Sequence, residues 1–163
     1  MSEFVNADPI AAGLSAFRPD SVAIGAGRVM LARLKALARA RADFAFETTL
    51  ASRSFAPWLT RLRASGYRVQ LAFLSLPAAD LAVARVAERV RQGGHDVPEG
   101  VVRRRFDAGL RNFFAVYQRI ADIWQVFDNS AEDGPRLIAS GGRTNDVTIV
   151  DADAWAQLMR RRS

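Results

Sequence analysis

The chain contains no cysteine, one histidine and, against twenty-two arginines, one lysine. Each scarcity closes off a chemistry. Without thiols there is no disulfide and no thiolate metal site, which fits a reducing compartment. His95 stands alone, so no cluster of imidazoles can hold a metal. Apolar runs stay well short of the ~20 residues that span a bilayer. The opening Met-Ser-Glu-Phe-Val-Asn lacks the basic-then-apolar order of a secretory leader. The expectation is a cytoplasmic protein with no membrane partner.

Half of the 163 residues are hydrophobic. That is enough for one domain over residues 1–163 with a real core, and too much for a disordered chain. The net charge is +6. Bare charge is weak evidence for nucleic acid, and the arginines are spread over helical segments without interleaved aromatic platforms. Abundant arginine and alanine beside the single Lys35 match the codon bias of a GC-rich genome. Nucleic acid is not an expected partner.

Short apolar runs of strand character alternate with helical periodicity, the pattern of an α/β protein with a mostly parallel sheet flanked by helices. Phe4-Val5 ends a strand, and Pro9 suits the first turn of a short helix through Gly13. Asp20 or Ser21 caps a long helix to about Ala42, with Val22, Val29, Leu31, Leu34 and Leu37 toward the core. Phe44 to Thr48 is the next strand, and Ser54 to Ser65 a helix stopped by Gly66. Tyr67 to Leu76 reads as a buried strand. Pro77 and Asp80 open a helix that ends at Gly93-Gly94. Beyond His95-Asp-Val-Pro98, Val102, Phe106, Leu110, Phe113, Phe114 and Tyr117 form an apolar helical stripe. Trp124 to Asp128 is a strand, residues 137–139 and 147–150 flank Gly141-Gly142 as a hairpin, and a last helix carries Trp155 and Leu158.

Polar side chains gather where such strands end. Phe44-Ala-Phe-Glu-Thr-Thr-Leu50 is an apolar run broken by a carboxylate and two hydroxyls. Parallel strands deliver ligand-binding groups in this way at their carboxyl edge. Glu47 is costly at the end of a buried strand unless it is used or paired. Asp8 either caps the following turn or orients an acceptor hydroxyl. Thr48 and Thr49 either cap the next helix or bond substrate. Arg85 and Arg89 lie one turn apart, with Arg91 and Arg103-Arg104-Arg105 nearby across Gly93-Gly94. They form either a solvated basic face or a hinged clamp for phosphates. A glycine-rich loop of the form G-x-x-x-x-G-K-[ST] is absent, and Lys35 falls in the glycine-free, helical Leu34-Lys-Ala-Leu37.

Together the segments resemble the zeta-toxin-like family of P-loop kinases, in particular the bacterial group called predicted ABC-type ATPases. The resemblance rests on Phe4-Val-Asn-Ala-Asp8, Phe44 to Leu50, Gly66-Tyr-Arg-Val69, Arg85 to Pro98, Arg103-Arg-Arg-Phe106, Leu110-Arg-Asn112 and Phe127-Asp-Asn-Ser130. It runs from the first residues to about Ala139. It implies ATP and Mg²⁺, with transfer of the γ-phosphoryl to a small-molecule hydroxyl; UDP-sugars such as UDP-N-acetylglucosamine are the toxins' targets. It implies Asp8 as base, with Arg89, Arg104 and Arg105 on the phosphates in a helical lid over about 85–112. Asn6, Glu47, Thr48 and Thr49 fall on the substrate side, and Arg85, Arg91 and Asn129 on the nucleotide side. The hairpin and helix of residues 136–163 complete the domain. The implied partners are a nucleotide, a small-molecule substrate, and an antitoxin or other partner chain.

Family members place a strand, the glycine-rich loop and a helix before the position of Phe4, and no such block is present here. The expectation is a P-loop kinase-like sheet lacking its first strand, with either a start further upstream or a repurposed remnant. Little catalysis is expected of these residues alone. The alternative is a non-catalytic, partner-binding protein of the same fold.

Overall fold

The computed structural model describes residues 3–14, 23–94, 96–144 and 146–162 of a mixed α/β protein. Its elements run β1 (Glu3–Val5), α1 (Ala7–Leu14), α2 (Ala23–Arg39), β2 (Phe44–Phe46), α3 (Ala56–Ala64), β3 (Gln70–Ser75), α4 (Ala79–Arg91) and α5 (Glu99–Asn112). A π-helical turn, Phe113–Tyr117, then leads through α6 (Gln118–Ile120) to β4 (Ile123–Asp128), β5 (Arg136–Gly142), β6 (Val147–Ile149) and α7 (Ala152–Arg161). The chain divides into two compact units, one of Met1–Thr48 with Arg89–Asp96 and one of Thr49–Glu88 with Val97–Ser163.

In the first unit β1 and β2 pair in parallel, Glu3 opposite Phe44 and Val5 opposite Phe46. Helix α2 packs beside β1, with α1 beside α2. The buried line of α2 is Ala26, Met30, Leu34 and Leu37, spaced as one face of a helix. Val29 and Leu31, expected inside, are 47% and 40% exposed. They flank Met30 in sequence, and each residue turns the helix by ~100°, which carries both off the buried line. Val22 and the candidate caps Asp20 and Ser21 lie outside the described residues.

The second unit holds a four-stranded sheet in the order β3-β4-β5-β6. β3 and β4 are parallel, from Gln70 opposite Ile123 to Ser75 opposite Asp128. β5 returns antiparallel to β4, and β6 antiparallel to β5. A Cβ on Gly141 would collide with the Trp124 ring, and one on Gly142 would lie 2.8 Å from the Asp122 carbonyl oxygen. Close approach, not the turn alone, explains that glycine pair.

The core gathers Phe113, Tyr117, Trp124, Val126, Ile138, Ala139 and Leu158, all nearly inaccessible. Phe113 stacks on Phe73 at 4.8 Å between centroids, and Trp124 stacks on Trp155 at 6.0 Å. The strand read as buried is not so. Along β3 the side chains alternate between exposed and half-buried up to the buried Ser75, and Leu74 is 53% exposed. Among the described residues β3 pairs with β4 alone, so it is an edge strand with one covered face.

Candidate functional site

Both strands of the first unit run the same way, so their carboxyl ends share one edge. Asn6 follows β1 and Glu47 follows β2. The Asn6 Nδ2 donates to Glu47 Oε2 at 2.8 Å, and the Glu47 amide donates to the Val5 carbonyl at 3.3 Å. Two substrate-side candidates, 41 residues apart in sequence, are thus joined. Glu47 is exposed and β2 only half-buried, so the carboxylate carries no heavy desolvation cost and keeps an oxygen for a ligand. Thr48 is half-buried and Thr49 exposed. Asp8 lies in the first turn of α1, with its side chain outside the described residues.

Arg89 and Arg91 occupy the last turn of α4, both exposed. The glycines that follow serve as a helix cap. Gly93 takes φ 90°, its amide donates to the Val90 carbonyl, and the Gly94 amide donates to the Arg89 carbonyl at 2.8 Å. A Cβ on Gly94 would stand 2.7 Å from Arg89 Cγ. The left-handed turn and the close approach both demand glycine. His95 lies outside the described residues.

In the second unit the segment after Thr49 is held by the long helix. Leu50 adopts a left-handed φ of 55°. The buried Asn112 donates from Nδ2 to the Leu50 carbonyl at 2.8 Å and accepts from Arg53 Nε at 2.9 Å. The Tyr117 hydroxyl donates to the Ser52 carbonyl at 2.5 Å. Gly109 lets the backbone come close: a Cβ there would meet the Thr49 oxygen at 2.5 Å. Burial pushes the Tyr117 phenol above its ordinary pKa, against a hydrogen bond from the Phe55 backbone and the nearby Arg53 charge. In the sequence Asn112 stands out only as the end of Leu110-Arg-Asn112, and Tyr117 only as a member of the apolar stripe. The available signal is an amide set among the apolar residues of the stripe.

The carboxyl ends of β3 and β4 gather another set. The Asn129 amide donates to the Ser75 carbonyl at 2.8 Å, the Ser130 amide to Asp128 Oδ1 at 2.9 Å, and Arg85 reaches the Ser130 carbonyl at 3.4 Å. Partial burial alone would raise the Asp128 pKa, but the bonds from Ser130 and the charge of Arg136 hold it below the usual range. Two nucleotide-side candidates, Arg85 and Asn129, therefore meet at this edge. Arg104 and Arg105 are exposed on α5. Their neighbour Arg103 is engaged otherwise, bonding Asp80 at 2.6 Å and Glu99 at 2.8 Å. It ties α5 to the start of α4.

Polar groups at parallel strand ends, with arginines on the helices that follow, are the groups an α/β protein uses to hold a charged ligand. The family model described as Zeta toxin matches residues 19–134. The chain belongs to the zeta toxin family. The matched span contains Glu47, Thr48, Thr49, Arg85, Arg89, Arg91, Arg104, Arg105 and Asn129, and leaves Asn6 and Asp8 outside. The chain is also 26% identical over 102 residues to an uncharacterized protein of Haemophilus influenzae (strain ATCC 51907 / DSM 11121 / KW20 / Rd), covering 63% of this chain and 73% of that one. No solved structure matches it.

The family implies ATP and Mg²⁺, and the residues present supply only part of what these need. Lys35 sits within α2, where backbone amides are bonded along the helix and cannot wrap a phosphate. Among the described residues no three acidic or imidazole groups converge on a metal position. The phosphate cradle does not fit these residues.

Proposed function

We propose that the chain carries the acceptor side of a zeta-toxin-type kinase, which moves the γ-phosphoryl of ATP to a hydroxyl of a small molecule such as a UDP-sugar. The observation that supports this most is the Asn6–Glu47 pair at the carboxyl edge of parallel strands. Glu47, oriented by Asn6, accepts a hydrogen bond from the acceptor, with Thr48 and Thr49 beside it. Asp8 would take the acceptor's proton in a chain that also held the phosphate loop. Arg89, Arg104 and Arg105 would be the lid arginines that neutralise phosphate charge, with Arg85, Arg91 and Asn129 toward the nucleotide, once a phosphate loop held it. The 163 residues contain no glycine-rich phosphate loop, so the isolated chain binds the sugar nucleotide and does not phosphorylate it.

The test pairs two assays on the purified chain. UDP-N-acetylglucosamine titrated calorimetrically binds, and Glu47→Gln weakens it by about tenfold, the worth of one hydrogen bond to a charged group. Labelled ATP with Mg²⁺ transfers nothing above background. Transfer that Asp8→Ala abolishes would overturn the inactivity; sugar-nucleotide binding indifferent to Glu47 would overturn the acceptor site.

A second reading is a non-catalytic protein that pairs with an antitoxin or other partner chain. It draws on β3, which among the described residues pairs with β4 alone, and on its exposed Leu74, since open edges recruit strands. Sedimentation of the isolated chain as a concentration-independent monomer would count against it.

A further inference from the structure

The second unit carries an arginine-lined pocket at the end of its sheet opposite to Asp128. Helix α3 stops where Gly66 takes φ 97°, its amide donating to the Arg63 carbonyl and that of Tyr67 to the Leu62 carbonyl. The chain then turns into β3 beside the segment that enters β4. The two are laced at that point: the Asp122 amide donates to the Val69 carbonyl at 2.8 Å, and the Val69 amide to Asp122 Oδ2 at 2.9 Å. Because β5 is antiparallel to β4, its end returns to the same edge, Gly142 opposite Ile123, and brings Arg143 with it. A pocket of about 720 Å³ opens among these segments, lined by Arg63, Tyr67, Arg68, Arg119, Asp122 and Arg143. That volume suits a small ligand.

Its charge is unbalanced. Four guanidinium groups face one carboxylate, and that carboxylate is largely spent on the backbone. Asp122 keeps its short bond for the Val69 amide, while Arg63 Nε and Arg143 Nη1 stand off at 3.8 and 3.9 Å. Arg63 is fixed as well by the Ile120 carbonyl at 2.9 Å, so it belongs to the wall. Arg68 and Arg119 are exposed, and among the described residues neither has an ion-pair partner. Three flexible guanidinium forks around one fixed one, against a single committed carboxylate, make a receptor for an anion of several charges. Planar forks match phosphate oxygens two at a time.

We propose that this pocket binds a compact oligophosphate, a small anion bearing two or more phosphate groups. It is separate from Arg85 and Asn129 in its own unit: β3 and β4 have six residues each, so the pocket lies about 20 Å from the Asp128 edge at ~3.3 Å per residue. A site there reads the concentration of a phosphate-rich metabolite without occupying the edge where Arg85 and Asn129 meet.

Calorimetric titration of the full chain with inorganic tripolyphosphate at about 0.15 M salt tests this. One ion binds per chain, and the double variant Arg68→Ala/Arg119→Ala weakens it by about tenfold or more. The double variant Arg85→Ala/Arg104→Ala leaves it unchanged. Unchanged melting temperatures confirm that both double variants fold. Three results would overturn the proposal: no binding, equal weakening by both double variants, or displacement of tripolyphosphate by a tighter single-stranded RNA oligonucleotide. The last would assign the arginines to a nucleic-acid backbone.

Discussion

Asn112 sits 6% exposed among apolar neighbours, and its amide is in use at both ends, toward Leu50 and from Arg53. Asn112→Ala removes the bond to the Leu50 carbonyl and releases the arginine. A lost buried partner costs about 1–3 kcal/mol, and urea denaturation should read a stability loss of that size. A loss within error would mean that the 49–53 segment is held by other contacts. Tyr117 gives a pH signature. Burial raises its pKa in the fold, so its contribution is complete below the ordinary phenol value of about 10 and is lost as pH climbs through the folded value. Thermal melts at about pH 8 and about pH 11 should show a larger drop for the native protein than for Tyr117→Phe. Equal drops would place the alkaline loss on another group.

The clamp on the 49–53 segment is a property of an element. In a straight α-helix the five residues from Asn112 to Tyr117 advance by ~500°, leaving the two side chains ~140° apart. The π-helical turn Phe113–Tyr117 widens that path, and both side chains bond to one segment while Phe113 stays in the core. π-turns of this kind recur where function asks for such a shift. Helix α7 shows the ordinary case: Asp151 accepts from the Ala154 amide at 2.9 Å, and Leu158 and Trp155 pack on the core. Asp151→Ala should cost about 1 kcal/mol by denaturation, the value of an N-cap; no change would mean that α7 is held by packing alone. These elements also mark what a sequence discloses. Gly66, Gly93-Gly94 and Gly141-Gly142 were readable because helix ends and tight approaches are written locally. The π-turn, the exposure of Leu74 and the sides of Val29 and Leu31 were not, because each follows from what packs against the element. For the candidate site, Glu47 and Asn6 were legible as two strand ends, but their hydrogen bond depends on register between strands far apart in sequence. Arg103 was legible as charge one turn from Glu99, whereas its bond to Asp80 belongs to the folded arrangement of α4 and α5.

At the scale of the whole molecule, the two units differ in how much they bury. Among the described residues the first unit's buried apolar side chains are Val5, Ala26, Met30, Leu34 and Leu37, set on a sheet of two three-residue strands. Two-stranded sheets are marginal by themselves. The second unit packs two stacked tryptophans, Phe113, Tyr117 and branched aliphatics against four strands. Local opening free energies follow such differences in burial. Amides of β4 and β5 should therefore resist hydrogen exchange at least about tenfold longer than those of β1 and β2, a gap of ~1.4 kcal/mol. The candidate acceptor groups Asn6 and Glu47 then sit on the unit that opens more readily, and a ligand that binds there should slow exchange in β1 and β2 while leaving β4 and β5 unchanged. Exchange measured by mass spectrometry with and without UDP-N-acetylglucosamine decides both points. Equal protection of the two units in the free chain would show that they open as one cooperative body, and protection gained only in β4 and β5 would move the acceptor site away from Glu47.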